Sequence, residues 1–417
     1  MTNSPDSTEM SNMELSVTDL LRVCRDLAWS DIADMPGNRS KLGPRLPSAQ
    51  CDSLPDWSSA GLALDSLACM QLATAAAVWC NAYDAGFEDQ FLAKRSAPGW
   101  AQAMHRARNA GASGITFSTS GSTGKRQHIR HADDSLVDEA QTWAQFFRVS
   151  TFPVSRVVTL VPCHHIFGFI WGVLLPKALG VPVLDASHEA LPELLAGDLL
   201  VGVPDQWQWL AGSARSEPAW VQGVSSTAPM PTQLHQRLVI SEGKASPWLA
   251  RLLQIYGSTQ TGGIAWRDDP GAPYTLAPGR SRNTGSGLEL LLPGGRLVPL
   301  ELQDEVRWTS INQFELLRRT DSCVQVGGHN VSTAWVREQL LTYPAVKDAS
   351  VRLDTASSIS RLKAFVVLKG SADPSQQAAF QDWAINHLPW YAALSSICYG
   401  AELPRNAMGK PSDWPGQ

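Results

Sequence analysis

The chain has 417 residues, a formal net charge of −5, and 44% hydrophobic against 18% charged side chains. This length predicts two or three domains, and this composition is typical of a globular protein with a full core. The Lys and Arg residues form no dense cluster, which argues against nucleic acid as a partner. The seven cysteines lack C-x-x-C spacing. That pattern indicates reduced thiols in a cytoplasmic protein rather than a zinc site or a disulfide framework.

The N-terminal quarter is predicted to consist of helices and loops. Residues 1–14 are polar and lack the apolar core of a signal peptide, so we expect a disordered tail. An amphipathic helix over 15–28 precedes a loop over 31–61 that is rich in Pro, Gly and Ser. The apolar runs 67–83 and 157–176 contain polar residues, which indicates buried core and argues against membrane insertion.

Short β-rich runs alternate with helical stretches after residue 110. Strands are expected at 114–118, 156–161, 181–184, 199–203 and 237–241, with a helix over 169–179. This alternation predicts an α/β fold whose large N-terminal body is built on a layered, parallel sheet.

The pattern changes after residue 300. We expect a hairpin over 303–318, helices over 334–341 and 376–387, and strands over 346–353 and 362–368. These elements predict a small α+β lid of about a hundred residues at the C-terminus.

Six consecutive small residues, Thr119-Ser120-Gly121-Ser122-Thr123-Gly124, follow the first of these strands. The glycines allow close approach of the backbone to a ligand, and hydroxyl and N–H groups suit phosphate oxygens. A flexible linker is the alternative for such a run taken alone. A Walker loop is excluded, because Thr119 and Arg126 occupy the places of its first glycine and its final Ser or Thr.

The run 119–124 resembles the phosphate loop of the adenylate-forming superfamily, which includes acyl- and aryl-CoA ligases and nonribosomal adenylation domains. Family members continue with x-Pro-Lys, whereas this chain continues with Lys125-Arg126-Gln127. The resemblance implies an enzyme that uses ATP and Mg²⁺ to join a carboxylic acid to AMP, with release of pyrophosphate. The acyl group then passes to a thiol.

Two segments downstream resemble the acyl and adenine segments of that family. Pro162-Cys163-His164-His165-Ile166-Phe167-Gly168 is similar to the segment that shapes the acyl pocket, with His165 at the position of the family's histidine. Ser226-Thr227-Ala228-Pro229-Met230 is similar to the segment that packs near adenine, so Ala228 and Pro229 are candidate nucleotide contacts. Ser226 is a candidate pocket residue.

The segment Tyr256-Gly257-Ser258-Thr259-Gln260 resembles the family's Tyr-Gly-x-Thr-Glu, whose tyrosine flanks adenine and whose threonine meets phosphate. Gly257, Gly263 and Ile264 are therefore expected to line the substrate pocket with His165. Gln260 replaces a glutamate that helps to hold Mg²⁺. Mg²⁺ favours charged oxygen ligands, and an amide oxygen can coordinate it only without charge, so with Gln260 metal binding is expected to depend more on the ATP phosphates and on water.

The remaining resemblance lies near and within the lid. Asp304 precedes Arg319 by 15 residues, the family's spacing for a pair that binds ribose. Asp321 matches the hinge, which implies a body over 1–318 and a mobile lid over 319–417. Lys410, in Leu403-Pro404-Arg405-Asn406-Ala407-Met408-Gly409-Lys410, matches the catalytic lysine. Gln325 replaces a family lysine in the segment that faces the thiol acceptor.

In its short length the chain resembles the compact ligases of bacterial aryl-polyene and xanthomonadin biosynthesis clusters. That resemblance implies an aromatic acid substrate, 4- or 3-hydroxybenzoate, with an acyl carrier protein or CoA as acceptor. A medium-chain acyl-CoA ligase is one alternative. A non-catalytic nucleotide-binding scaffold is another, which Gln127, Gln260 and Gln325 favour because three usual charges are missing. Ser66, in Asp65-Ser66-Leu67, resembles a phosphopantetheine site, but a serine that caps a helix is the simpler interpretation.

Overall fold

The structure is a computed structural model of the chain. It describes residues 13–34, 64–120, 126–187, 190–212, 220–239, 249–282, 288–291, 297–302, 304–319, 323–326, 329–354, 361–370, 373–404 and 412–414. Of the predicted features, the tail over 1–12, most of the loop over 31–61, the centre of the phosphate loop (121–125), Asp321 and Lys410 lie outside these residues.

The described part of the N-terminal quarter contains the helices α1 (Val17–Asp34), α2 (Ser66–Trp79), α3 (Asp89–Ala93) and α4 (Ala97–Asn109), with a 3₁₀ turn at Ala82–Ala85. Asp65, not Ser66, caps α2, because its Oδ1 accepts the Ala68 N–H at 2.8 Å. Ser66 is the exposed first residue of the helix. Met13 belongs to the buried core beside these helices, so the prediction of a disordered tail to residue 14 is wrong at its end.

A hairpin of β1 (Ile115–Ser120) and β2 (Arg126–His131) carries the small-residue run. The strands are antiparallel, and Ser120 pairs with Arg126, so residues 121–125 connect two paired strand ends. Helix α5 (Asp133–Arg148) follows and buries an apolar stripe that includes Leu136, Ala140 and Trp143.

The body is organised around one nine-stranded sheet. Its parallel strands are β3 (Arg156–Thr159), β4 (Val183–Asp185), β5 (Asp198–Gly202), β6 (Gln222–Ser225) and β7 (Arg251–Ser258). Its antiparallel strands are β8 (Gly262–Arg267), β9 (Tyr274–Leu276), β13 (Asp304–Trp308) and β14 (Gln313–Arg319). The spatial order is β13-β14-β9-β8-β7-β6-β5-β3-β4. A second sheet contains β10 (Arg280–Arg282), β11 (Leu288–Leu291) and β12 (Leu297–Leu300).

The helices of the body lie between the parallel strands in sequence. After β3 the chain forms α6 (Ile166–Phe169), a π-helical turn (Ile170–Leu174) and α7 (Leu175–Leu179). Helices α8 (Pro204–Gly212) and α9 (Thr232–Leu238) follow β5 and β6. The strand predicted at 237–241 is wrong over Arg237 and Leu238. Leu234 and Leu238 are both buried, one helical turn apart, so the periodicity of a helix outweighs the local β-rich run.

The C-terminal part has a hydrophobic core of its own. It contains the hairpin of β15 (Cys323–Val326) and β16 (His329–Ser332), α10 (Thr333–Leu341), β17 (Val346–Asp354), β18 (Arg361–Leu368), α11 (Pro374–His387), a 3₁₀ turn (Trp390–Ala392) and β19 (Leu394–Tyr399). Strands β17, β18 and β19 form one sheet, and its core cluster includes Leu340, Val366 and Phe380. The α/β fold with a large sheet body is confirmed. Among the described helices, none combines the length and apolar character that crossing a membrane requires.

Candidate active site

A cavity of about 440 Å³ opens where the parallel strands end. Val161, Val203 and Ser226, which line it, follow β3, β5 and β6 directly or within two residues. Ligands in open α/β sheets bind beyond the carboxyl ends of the strands, where loops can present side chains without interrupting the sheet. The cavity is therefore the candidate site.

The structure brings many of the predicted residues together at this cavity. Thr119, His165, Ser226, Gly257, Ser258, Thr259 and Gly263 line it. Ala228 and Pro229 follow the lining residue Thr227 but are not among the lining residues themselves, and neither is Gln260. Ile264 differs from the prediction, because adjacent strand residues face opposite sides of a sheet. Gly263 faces the cavity, while Ile264 packs in a core with Tyr274 and Phe314.

His165 is held at the cavity by tight backbone packing. It is the N-cap residue of α6, and its carbonyl accepts the Phe169 N–H at 2.8 Å. A Cβ at Gly168 would lie 2.0 Å from the Pro162 carbonyl oxygen, so only glycine permits this approach of helix and loop. The glycine of the His-x-x-Gly pattern thus sets the position of the histidine.

Tyr256 and Asp304 form a polar pair across the sheet. The Tyr256 hydroxyl donates to Asp304 Oδ2 at 2.8 Å, and the tyrosine ring packs against Tyr274 and Phe314. Asp304 lies directly opposite Arg319 in the register of β13 and β14. The 15-residue spacing read from the sequence is therefore the spacing of a hairpin that places the two residues side by side.

His131 connects the phosphate hairpin to the loop after β7. Its Nε2–H donates to the Thr259 carbonyl at 2.6 Å, and burial lowers the pKa of the imidazole below its usual value, an effect that this hydrogen bond opposes. The ring is therefore neutral near pH 7 and fixes Thr259 relative to β2.

The polar atoms at the cavity fit a nucleotide. Thr227 lines the cavity with φ of +73°, a conformation that a β-branched residue rarely adopts. Its Oγ1 is buried and has no hydrogen-bond partner within the part of the chain that the structure describes. A strained residue with such a hydroxyl, in the same cavity lining as Thr259, suits a polar ligand that supplies the missing bond.

The donor set does not by itself make a magnesium site. Asp26, Cys163 and Asp185 place potential ligand atoms within 4.8 Å of one another, but Arg22 pairs with Asp185 at 2.8 Å and Asp26 accepts the Cys163 N–H. That cluster is an ion-paired part of the core. Ser258 and Thr259, which line the cavity, carry neutral hydroxyl oxygens. Such oxygens would hold a Mg²⁺ ion only together with charged ligands, which the phosphates of ATP would supply.

The C-terminal part, which the sequence predicts to be a lid, borders one side of the cavity with its β15–β16 hairpin (the hairpin face). Gln325, His329 and Trp390 belong to the lining. The His329 ring lies 5.8 Å from that of His165, 4.7 Å from Trp390 and 5.0 Å from Tyr391, on which it stacks.

The described residues that flank Lys410 pack against strand β18 or against each other. Lys363 Nζ donates to the Trp414 carbonyl at 2.6 Å and pairs with Asp413 at 3.0 Å, and the Trp414 ring packs edge-on to Phe365. Ser412 N–H donates to the Pro404 carbonyl at 3.0 Å. None of these flanking residues lines the cavity, so in this conformation the lid faces the cavity with its β15–β16 hairpin and the 3₁₀ turn at Trp390.

Sequence reasoning missed several lining residues, among them Trp29, Glu139, Trp171 and Trp390. A signal for Glu139 existed. It lies within the apolar stripe of α5, between Leu136 and Trp143, where an ionisable residue is unusual. No local pattern marks the tryptophans, which resemble ordinary core residues in the sequence.

Comparison with known proteins identifies the class. The sequence profile of the family described as AMP-binding enzyme matches residues 72–302. A 4-coumarate–CoA ligase of Cereibacter sphaeroides is 34% identical over 409 residues, which cover 94% of this chain and 95% of the relative. A 4-coumarate–CoA ligase of Halorhodospira halophila is 34% identical over 402 residues, which cover 95% and 99%.

Solved structures show the same fold at low sequence identity. A malonyl-CoA ligase in complex with methylmalonyl-CoA and AMP superposes with a TM-score of 0.57, 18% identity, and coverage of 70% of this chain and 71% of that one. An amide bond synthetase of Marinactinospora thermotolerans superposes with a TM-score of 0.55 and is 19% identical. The match covers 71% of this chain and 67% of the synthetase. Together with the relatives, these findings define an adenylate-forming acid–thiol ligase. The chain belongs to the AMP-binding enzyme family.

Proposed function

We propose that this ligase activates a hydroxylated aryl acid, of the class that includes 4-coumarate and 4-hydroxybenzoate, and transfers the acyl group to CoA. The observation that carries the proposal is the aromatic wall of the cavity, formed by Trp29, Phe167, Trp171 and Trp390. Flat aromatic walls favour a planar ring through stacked and edge-to-face contacts. A volume of about 440 Å³ lies in the range of small-molecule sites.

The relatives support the aryl class and the CoA acceptor, since both are named 4-coumarate–CoA ligase. 4-Hydroxybenzoate, transfer to a carrier protein and a place in pigment synthesis remain predictions from the sequence. 4-Coumarate and 4-hydroxybenzoate share a ring hydroxyl and differ in the spacer between ring and carboxylate. A substrate series can therefore separate them.

The first half-reaction joins two anions. A carboxylate oxygen of the acid attacks the α-phosphorus of ATP, the bond to the bridging oxygen of the β-phosphate breaks, and pyrophosphate leaves. Positioning and positive charge lower the barrier of such a step. In this proposal Tyr256, Asp304 and Arg319 hold the nucleoside, residues 119–125 hold phosphate, and Lys410 bridges the carboxylate and the α-phosphate.

The second half-reaction requires a different face of the lid. The acyl carbon of the adenylate is attacked by the thiol sulfur of CoA, and AMP leaves. The hairpin face, with Gln325 and His329, already lines the cavity, whereas the residues that flank Lys410 pack elsewhere on the lid. We propose that the lid rotates about Asp321 between the two half-reactions, a domain motion of a common type.

Pyrophosphate exchange and thioester formation test the proposal together. Purified enzyme is assayed for ATP–pyrophosphate exchange with 4-coumarate, 4-hydroxybenzoate, 3-hydroxybenzoate and octanoate, and for thioester formation with CoA and with a phosphopantetheinylated carrier protein. Exchange with a hydroxylated aryl acid and acyl-CoA formation are expected. Exchange with octanoate alone would identify a medium-chain ligase, and exchange with none of the acids would contradict adenylation.

Loss of the Asp304 charge should weaken ATP binding selectively. We expect Asp304→Ala to raise the KM for ATP by about 10- to 100-fold, because hydrogen bonds to charged groups contribute about 1.5–3 kcal/mol. Tyr256→Phe removes the 2.8 Å bond to Asp304 but keeps the carboxylate, and should have the smaller effect. Initial rates against ATP and against the acid provide the measurement. An unchanged KM for ATP in Asp304→Ala would exclude the ribose role.

Restoring the family's carboxylate at position 260 should reduce the requirement for Mg²⁺. We expect Gln260→Glu to lower the Mg²⁺ concentration for half-maximal exchange by about fivefold or more, since one added charge near the ion contributes ~1 kcal/mol even in water. Gln145→Glu, at an exposed position on α5, is the matched control for added charge. Equal Mg²⁺ titrations of Gln260→Glu and the wild type would contradict the expectation.

A further inference from the structure

A carboxylate lies in the wall of the acyl cavity, where aryl recognition alone does not require one. Glu139 of α5 lines the cavity, and its side chain is 7% exposed. Its Oε1 accepts the Gly263 N–H at 2.8 Å. A Cβ at Gly262 would lie 2.1 Å from Glu139 Oε2, and one at Gly263 would lie 2.8 Å from Oε1. The two glycines of β8 therefore make the space that the carboxylate occupies.

The charge of Glu139 is only partly balanced by the protein. Arg280 Nη2 stands 3.9 Å from Oε2, which is too far for a hydrogen bond. Burial raises the pKa of Glu139, and this effect is opposed by Arg280, by the Gly263 N–H and by Trp143. A buried carboxylate is costly unless it is well hydrogen-bonded, so a donor from a ligand would stabilise this one.

Trp143 connects Glu139 to the helix that follows His165. Trp143, one turn after Glu139 on α5, packs against Trp171 with ring centroids 5.1 Å apart. Trp171 follows His165 by six residues, through α6 and into the π-helical turn. At a rise near 1.5 Å per residue this corresponds to roughly 9 Å. An aryl acid with its carboxylate near His165 thus directs the far end of its ring towards Trp171 and Glu139.

We propose that Glu139 determines substrate specificity by accepting a hydrogen bond from a hydroxyl group at the end of the ring opposite the carboxylate. This inference rests on the proposed aryl-acid function and defines the ring substituent that the site selects. A phenol, with a pKa near 10, is a neutral donor at pH 7. Its bond to a carboxylate is charge-assisted and therefore strong. An acid without the hydroxyl leaves Glu139 unpaired, and a site built around a buried polar group discriminates strongly against such analogues.

Two pairs of acids test this role, 4-coumarate with cinnamate and 4-hydroxybenzoate with benzoate. The measured quantity is the ratio of kcat/KM in pyrophosphate exchange within each pair. We expect the wild type to favour the hydroxylated acid of its preferred pair by at least about 100-fold. Glu139→Leu should lower this ratio at least tenfold through a higher KM for the hydroxylated acid, while exchange with the unhydroxylated acid is retained or improved.

The matched control is Asp138→Asn on the same helix. Asp138 lies 4.0 Å from Arg280 but does not line the cavity, so its loss changes the charge near Arg280 without changing the substrate contact. Its ratio should equal that of the wild type. Glu139→Leu could lose exchange with both acids because it folds poorly, which a lower melting temperature would show. In that case the isosteric Glu139→Gln, which keeps the shape of the side chain, is measured instead, and its ratio of kcat/KM for the two acids tests the role of Glu139.

The outcomes distinguish this inference from the proposed function. A wild-type ratio near one, or an unchanged ratio in Glu139→Leu or in the deciding Glu139→Gln, overturns the role of Glu139 while aryl-acid activation stands. A fall in the ratio in Asp138→Asn equal to that in Glu139→Leu also overturns it, because the effect would then come from Arg280. A wild type that exchanges with none of the four aryl acids refutes the proposed function and this inference with it.

Discussion

Replacement of Lys410 by alanine is expected to lower acyl-adenylate formation by about 10²- to 10³-fold, the usual loss when one positioned group that stabilises transition-state charge is removed. The carboxylate and the α-phosphate both carry negative charge, and further charge develops at the phosphorus as pyrophosphate leaves. A lysine acts there as a point charge between the two reactants. The measurement is pyrophosphate exchange at saturating acid and ATP.

The same variant should keep its second half-reaction. The hairpin face of the lid lines the cavity while the residues on both sides of Lys410 pack against β18 or against each other. Thioester formation from a supplied aryl-adenylate should therefore change little. Lys369→Ala, which removes an exposed lysine of the lid, is the matched control and should leave both half-reactions intact. Normal exchange by Lys410→Ala would show that another cation carries the step.

Replacement of Gly168 by alanine is expected to destabilise the body by about 1–3 kcal/mol or more and to damage the acyl site. The new Cβ would meet the Pro162 carbonyl oxygen at 2.0 Å and Cys163 Cα at 3.1 Å. Both are backbone atoms, so α6 and the loop that carries His165 have to move apart. A displacement of about 1 Å at a reacting group can cost 10²-fold in rate.

Chemical denaturation and the KM for the acid measure the two effects of Gly168→Ala. Gly212 is at the end of α8, and outside its own helix the described residues place no atom within 4 Å of an added Cβ, which makes Gly212→Ala the control. Alanine there should be neutral or slightly stabilising, because it lowers the entropy of the unfolded chain. A Gly168→Ala variant with wild-type stability and KM would contradict the packing argument.

Much of the fold could be predicted because its signals are local. The short β-rich runs 156–161 and 199–203 are strands of the sheet, with bounds that differ by one or two residues. The spacing between Asp304 and Arg319 corresponds to paired positions in a hairpin. The local sequence pattern gave a wrong prediction where tertiary packing determines the secondary structure. In 237–241, for example, a strand was predicted, but the burial of Leu234 and Leu238 on one face favours a helix through Leu238.

The motif residues that line the cavity are close in sequence to the strands that carry them. Short family motifs therefore pointed to them, while their roles in binding and catalysis stay predictions. Thr119 is the residue before the end of β1, Ser226 follows β6, and Gly257 lies in β7. The rule that loops at the carboxyl ends of parallel strands meet at one edge accounts for Ser226, whereas Thr119 belongs to the separate β1–β2 hairpin. Ile264 was misplaced because the sequence alone does not show which face of β8 borders the cavity.

The sequence by itself determined the class of this protein, because phosphate and nucleoside binding depend on short segments with fixed local geometry. The character of the acyl pocket was decided only by the tertiary structure. Gly263 and Glu139 are 124 residues apart, and their 2.8 Å contact exists only because α5 packs against β8. Such a contact has no characteristic sequence spacing from which it could be predicted, because it depends on how two elements pack and on which faces they bury.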